Sequence, residues 1–311
     1  MVCPGLLAET LYSLTDLGSI PNSFAYGINN SGQVIVTEQI FGLSSKGFRV
    51  APNSLINQAM DLGTLGGSSS SANGINKSGQ VVGVSITAGG QNHAFRTGAN
   101  SPINPATDDL GTLGGTESLA YGINNSGQVV GYSITASGQN HAFRTGANSP
   151  INPATNDLGT LGGTESFAFG INKAGQVVGD SSTASGEYHA FRTAANSPIN
   201  PATDDLGTLG GTFSEAFGIN KLGQVVGDSS TASGQTHAFL YDVSGHLIDL
   251  NSLISPDSRS NFSVLRSATA INDRGQIVGY GTINGQTRAF LATPVNTGKV
   301  TTQSSESPDE D

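Results

Sequence analysis

The chain has 311 residues, of which 43 are glycine and only 12% are charged, about half the usual ~25%. With 36% hydrophobic residues, it has the composition of a folded chain and not of a disordered polyelectrolyte. A net charge of −10 argues against nucleic-acid binding, which needs a basic footprint, and a single cysteine excludes an internal disulfide framework.

Residues 1–10 form an apolar extension, too short for a complete export signal with its charged start and cleavage site, and read as a signal remnant or an alternative start. From residue 11 the chain repeats itself. Asp-Leu-Gly starts at Asp61, Asp109, Asp157 and Asp205, Gly-Ile-Asn at Gly74, Gly122, Gly170 and Gly218, and His-Ala-Phe at His93, His141, His189 and His237, always in steps of 48. Degenerate copies at Asp16, Gly27 and Lys46 open the series, and copies at Asp249, Ala270 and Arg288 close it, which makes six units. No apolar run approaches the ~18 residues of a membrane span. Residues 293–311 are acidic and serine-rich, a tail expected to be disordered.

Each unit holds four short runs of strand character. The first, Phe167 to Asn172, alternates with period two, placing Phe167, Phe169 and Ile171 on one face and Ala168, Gly170 and Asn172 on the other. Such a sheet can stack on its own copy, large residues filling the space that small ones leave. Asn-x-x-Gly then signals a tight turn into a second run, Gln176 to Gly179. The third run is His189 to Arg192 and the fourth Asp205 to Leu209. No sustained helical spacing appears.

Four antiparallel strands in six copies predict an all-β, six-bladed β-propeller spanning 11–292, with an open β-solenoid as the other arrangement. The series opens on a fourth-strand segment, Leu11 to Gly18, and finishes on a third strand, Arg288 to Ala292. An N-terminal strand pairing into the C-terminal blade would close the ring and remove the free edges. Between third and fourth strands run long loops at Thr97–Thr107, Thr145–Thr155 and Thr193–Thr203, each with two prolines, which predicts stiff projecting loops.

The strings Gly-Ile-Asn-x-x-Gly-Gln-Val-Val-Gly, His-Ala-Phe and Asp-Leu-Gly-Thr-Leu-Gly-Gly, in fixed order from about Leu11 to Leu291, resemble the HAF-repeat family of probable extracellular proteins of bacteria, including cyanobacteria. The resemblance implies a repeat scaffold and an extracellular or periplasmic location, and it transfers no catalytic residue. Two departures stand out: Lys46 and Arg288 replace the histidine in the first and sixth units, and no complete export signal is present.

Chemistry is sparser than architecture. As metal ligands, His93, His141, His189 and His237 would have to converge, and equivalent positions in a ring do not. A hydrogen-bonded structural histidine is expected instead, and a structural carboxylate at Asp61, Asp109, Asp157 and Asp205. Asp180 and Asp228 share one repeat position, as solvated surface acids or a shallow cation patch. Asn29, Asn76, Asn124, Asn172, Asn220 and Asn272 end the first strand in all six units, where they either cap turns or encircle a channel mouth and bind a polar ligand. In the long loops Asn100, Asn104, Asn148, Asn152, Asn196 and Asn200 are the contact candidates.

A non-catalytic extracellular binding scaffold follows, monomeric and without cofactor or nucleic acid, offering equivalent surfaces to a protein, a polysaccharide or the cell envelope. The alternatives are a propeller hydrolase or lyase with its site at the central channel, marked by non-repeated polar residues of shifted pKa, and a lectin. Aromatic platforms for sugars are few: tryptophan is absent, and only Tyr132, Tyr188, Tyr241 and Tyr280 stand outside the core positions of the repeat.

Overall fold

A computed structural model describes residues 23–40, 44–52, 54, 61–254 and 262–294. The expected closing strand at Leu11–Gly18, with Asp16, and the acidic tail lie outside the described residues. The chain divides into two compact units, Met1–Leu206 and Gly207–Asp311. Both are built from antiparallel strands, and the described residues add one short 3₁₀ turn, Leu250–Leu253. None of their helices is long and apolar enough to cross a membrane.

In the first unit β1 (Ser23–Ile28), β2 (Val34–Ile40) and β3 (Ser44–Val50) form one antiparallel meander. The pattern recurs in β4 (Gly66–Ile75), β5 (Val81–Thr87) and β6 (Asn92–Arg96), and in β7 (Gly114–Ile123), β8 (Val129–Thr135) and β9 (Asn140–Arg144). It recurs once more in β10 (Gly162–Ile171), β11 (Val177–Thr183) and β12 (Tyr188–Arg192). The second unit holds β13 (Gly210–Ile219), β14 (Val225–Thr231), β15 (Thr236–Tyr241) and β16 (Leu247–Asp249), then β17 (Val264–Ile271), β18 (Ile277–Ile283) and β19 (Gln286–Ala292).

The expected fourth strand is a strand only in the second unit. In the first, the Asp-Leu-Gly segment touches its sheet through single bridges, Phe48 to Asp61, Phe95 to Asp109, Phe143 to Asp157 and Phe191 to Asp205. Two features shorten it. Gly63, Gly111 and Gly159 turn the chain away at φ of 77°, 71° and 71° just after the aspartate, a conformation costly for other residues. A long loop also precedes it, whereas β16 follows β15 through a tight turn in which the Asp242 amide donates to the His246 carbonyl at 3.0 Å.

The first strand is longer than expected, ten residues in β4, β7, β10 and β13, because it starts at the Gly-Gly pair. A bulge between Ala168 and Gly170, repeated at the equivalent sites, breaks the strict alternation. Small residues therefore occupy the centre: Ala72, Ala120, Ala168 and Ala216 are fully buried, and the large residues beside them lie half-buried. In β1 the large face is open, with Phe24 and Tyr26 about half exposed. Opposite the buried alanine the next strand must carry glycine, because a Cβ on Gly131 would sit 1.8 Å from the Leu119 carbonyl oxygen. Further along the sheets the large faces do stack on their copies, Tyr121 edge-on to Phe169 at 5.3 Å and Tyr132 to Phe167 at 5.0 Å.

Four of the core clusters among the described residues span consecutive sheets. Val82, Ala94, Leu110, Leu113, Ala120, Val129, Phe143 and Ile151 make one such cluster, and the same positions one repeat on make the next. The loop isoleucines belong to these clusters, so the loops are not projecting. Ile103, Ile151 and Ile199 are buried, and their amides donate to the carbonyls of Leu62, Leu110 and Leu158 at 2.7–2.8 Å. Proline stiffens a cover that apolar burial pulls down onto the sheet.

Phe143 has no exposed surface, so Phe143→Ala should lower stability by about 3–5 kcal/mol in equilibrium denaturation, and a loss under about 1 kcal/mol would contradict its place in the core.

Candidate functional site

The recurring histidine faces the recurring aspartate. His93 Nδ1 lies 2.9 Å from both carboxylate oxygens of Asp109, and His141 repeats this on Asp157. His189 stands 2.9 Å from Asp205, and His237 stands 2.7 Å from Asp249. The same carboxylates accept the turn amide two residues on, from Gly111 to Asp109 and from Gly159 to Asp157, both at 2.8 Å. In the first repeat Lys46 takes the histidine's place, 3.4 Å from Asp61. Burial pushes the carboxyls of Asp109, Asp157 and Asp249 up, but the histidine and the backbone amides outweigh it and hold all three below the ordinary value. Among the described residues no three histidine, cysteine, aspartate or glutamate side chains gather as metal ligands.

The strand-end asparagines are turn caps and clasps at once. Asn76 Oδ1 accepts the amides of Ser78 and Gln80 at 3.0 and 3.1 Å. Its Nδ2 donates to Gln80 Oε1 and to the carbonyl of Asn124 in the following repeat. Asn29 reaches Asn76 in the same way, Asn124 reaches Asn172, and in the second unit Asn220 reaches Asn272. Asn29, Asn76, Asn124, Asn172 and Asn220 are buried, and Asn272 is exposed. A ligand at these amides would have to displace bonds that hold the repeats together.

In the long loops Asn100, Asn148 and Asn196 adopt left-handed φ of 57°, 53° and 55°, and each Oδ1 accepts from a glutamine of the preceding repeat. Asn104, Asn152 and Asn200 are exposed, and each Oδ1 caps the amide two residues on. This second trio leaves its Nδ2 donors facing solvent.

Asp180 and Asp228 are neither solvated nor shallow: they are 6% and 8% exposed. Both sit on the inner run of a second strand, where the valines that precede them are fully buried. Of the tyrosines expected to be free, Tyr132 packs on Phe167, Tyr188 donates to Glu165, and only Tyr280 is largely exposed among the four.

Two features of the second unit are not apparent from its motifs. The first is a cavity of about 650 Å³ lined by Gln235, Thr236, His237, Asn251, Ser263 and Arg266. Asp249 holds His237 by Nδ1, which leaves Nε2 without a partner. Asn251 is spent on Asp249 and on the backbone of Leu265, and Ser263 Oγ donates to the Thr282 carbonyl at 2.9 Å. Arg266 Nε donates to Thr282 Oγ1, and its Nη groups carry no ion pair among the described residues. The second is a pair of carboxylates, Glu215 and Asp228, directly opposite each other on β13 and β14. Glu215 could have been noticed as a charge at the repeat position held elsewhere by Leu119 and Phe167; nothing in the sequence signals the cavity, which depends on where Arg266 meets the β14–β15 turn.

A family model described as "Protein of unknown function (DUF3466)" matches residues 162–307. No curated protein matches the sequence. Among solved structures, the chain is similar to a fungal lectin from Aleuria aurantia, described as a six-bladed β-propeller with a novel mode of fucose recognition. The two are 11% identical over 86% of this chain and 90% of that one, with a TM-score of 0.43. A variant of the same lectin in complex with Fucα1-6GlcNAc is 12% identical over 87% and 91%, with a TM-score of 0.39.

Carboxylates held below their ordinary pKa stabilise the fold above the unfolded-state value, and that stability is lost as pH falls through the depressed folded-state value. Melting curves from neutral pH into the acid range should therefore show Asp157→Asn with a shallower acid decline than the parent chain; equal slopes would mean that the His141–Asp157 pair contributes nothing.

Proposed function

We propose that the chain is a non-catalytic carbohydrate-binding module, exported or periplasmic, that takes a polysaccharide segment in the cavity of the second unit. The observation that carries this reading is the cavity lining. Gln235, Thr236, His237 Nε2 and the Nη groups of Arg266 offer a set of donors and acceptors to one volume. Hydroxyl-rich ligands are both donors and acceptors and suit such a mixture. The volume falls within the ~300–1,000 Å³ of small-ligand sites.

An enzyme is the less favoured reading. The His237–Asp249 pair has the form of a base with its orienting carboxylate. Yet the same pair stands at His93, His141 and His189, and the Ser263 hydroxyl is turned to the Thr282 carbonyl. Glu215, a non-repeated acid, and its neighbour Asp228 do carry raised pKa values, but neither lines the cavity, and Asp228 is buried. We further propose that the repeats belong to a six-bladed propeller closed by Leu11–Gly18, with the exposed loop amides of Asn104, Asn152 and Asn200 as secondary contacts for an envelope or protein partner.

Screening the full chain on a glycan array, followed by calorimetry on the best ligand, tests the binding reading. Gln235→Ala and Arg266→Ala should each weaken binding about ten- to a hundredfold, the range for losing a hydrogen bond with a charged or polar partner. Their melting temperatures should stay unchanged. Absence of glycan binding, or variants that bind like the parent, would reject the site. Deleting residues 11–18 should lower the melting temperature far more than deleting 298–311, and equal melts would reject closure.

A further inference from the structure

We propose that Glu215, Asp228 and Ser267 form a site for a hard divalent cation of the calcium class, which pins β13 and β14 to β17 within the second unit. This goes beyond the carbohydrate reading and does not rest on it.

Glu215 and Asp228 are direct cross-strand partners, an arrangement in which like charges repel. The equivalent pairs in the first unit are Phe24 with Thr37, Ser71 with Val84, Leu119 with Tyr132 and Phe167 with Asp180. Of these cross-strand pairs, Glu215–Asp228 is the one with two carboxylates. Asp228 is 8% exposed and Glu215 is half-buried. Among the described residues no lysine, arginine or histidine pairs with either. A buried and a half-buried carboxylate without a counter-charge are costly together, and a buried charge is normally paired or bound to a metal.

Ser267, on the next sheet, points to the same ligand independently. It is 1% exposed, and its Oγ is a buried side-chain atom with no hydrogen-bond partner. The hydroxyl faces Asp228 and eases its charge, while burial holds that carboxyl above the ordinary value. A buried hydroxyl that completes no hydrogen bond, set beside a facing carboxylate pair, supplies a third oxygen to the same place.

The ligand class follows from the atoms. All three side chains offer oxygen and none offers nitrogen or sulfur, which favours calcium- or magnesium-type ions over zinc or copper. Calcium's tolerance of irregular geometry suits a site supplied from three strands, with water completing the shell. Without a cation, burial and the Asp228 charge push Glu215 up to about 7, so a proton is the competitor for the same place.

The test uses the full chain, stripped with EDTA and melted at slightly alkaline pH with and without calcium or magnesium. At about 10 mM, tenfold above the ~10⁻³ M of weak extracellular sites, calcium should raise the melting temperature by a few degrees, and EDTA should reverse the shift. Asp228→Asn should abolish the increment. Because that variant can also weaken the fold, Glu215→Leu provides a second measurement: it restores the residue type of Leu119, and should melt higher than the parent in EDTA while ignoring calcium. The proposal is overturned if neither ion shifts the parent's melt, or if both variants keep the full shift. A parent stabilised by mild acid but not by either ion would show a carboxylate pair that shares a proton, and would also overturn it. Glycan binding is read separately, so its failure leaves this outcome intact.

Discussion

The repeat depends on one side-chain amide doing four jobs. At the end of the first strand, Asn29, Asn76, Asn124 and Asn220 each accept two backbone amides of their own turn, donate to the glutamine that ends the turn, and donate again to a carbonyl one repeat further on. Neither aspartate nor glutamine can replace it. Aspartate lacks the donor, and glutamine is one methylene too long for the two local bonds. Buried as it is, the group adds to stability only because every one of its capacities is met.

Much of this architecture is legible in the chain. Repeats in steps of 48 fix the equivalence of sites, Asn-x-x-Gly marks the turns, and β-branched pairs such as Val177-Val178 mark the innermost strand of each sheet. The errors share one cause, which is that tertiary contact overrode a local rule. Period-two alternation puts Phe167 and Phe169 on one face without interruption, but the bulge between Ala168 and Gly170 breaks that alternation, and at the sheet centre two backbones approach until only alanine and glycine fit. Two prolines suggest projection, but the isoleucine between them supplies a reason to fold inward. The fourth strand needs a tight turn before it, and only the second unit has one among the described residues.

Site residues divide along the same line. The histidine and aspartate of the motifs recur, and their partnership serves the fold. Function-like features appear where the pattern lapses: Glu215 in place of an apolar residue, Ser267 buried without a partner, Arg266 over a cavity. A search for repeated chemistry passes over these positions, because a carboxylate there becomes informative only once its counterparts Phe24, Ser71, Leu119 and Phe167 are seen to carry no charge.

Two of the tethers between repeats run in opposite senses along the chain. Asparagine reaches forward to the next carbonyl, and the loop isoleucine reaches back to a leucine carbonyl of the previous repeat. In both, the receiving atom belongs to the main chain. The receptor half of each link is therefore indifferent to mutation, and only the donor half is written in the genetic text. A substitution at the asparagine removes its link between repeats, whereas one at the residue that supplies the carbonyl leaves the acceptor in place.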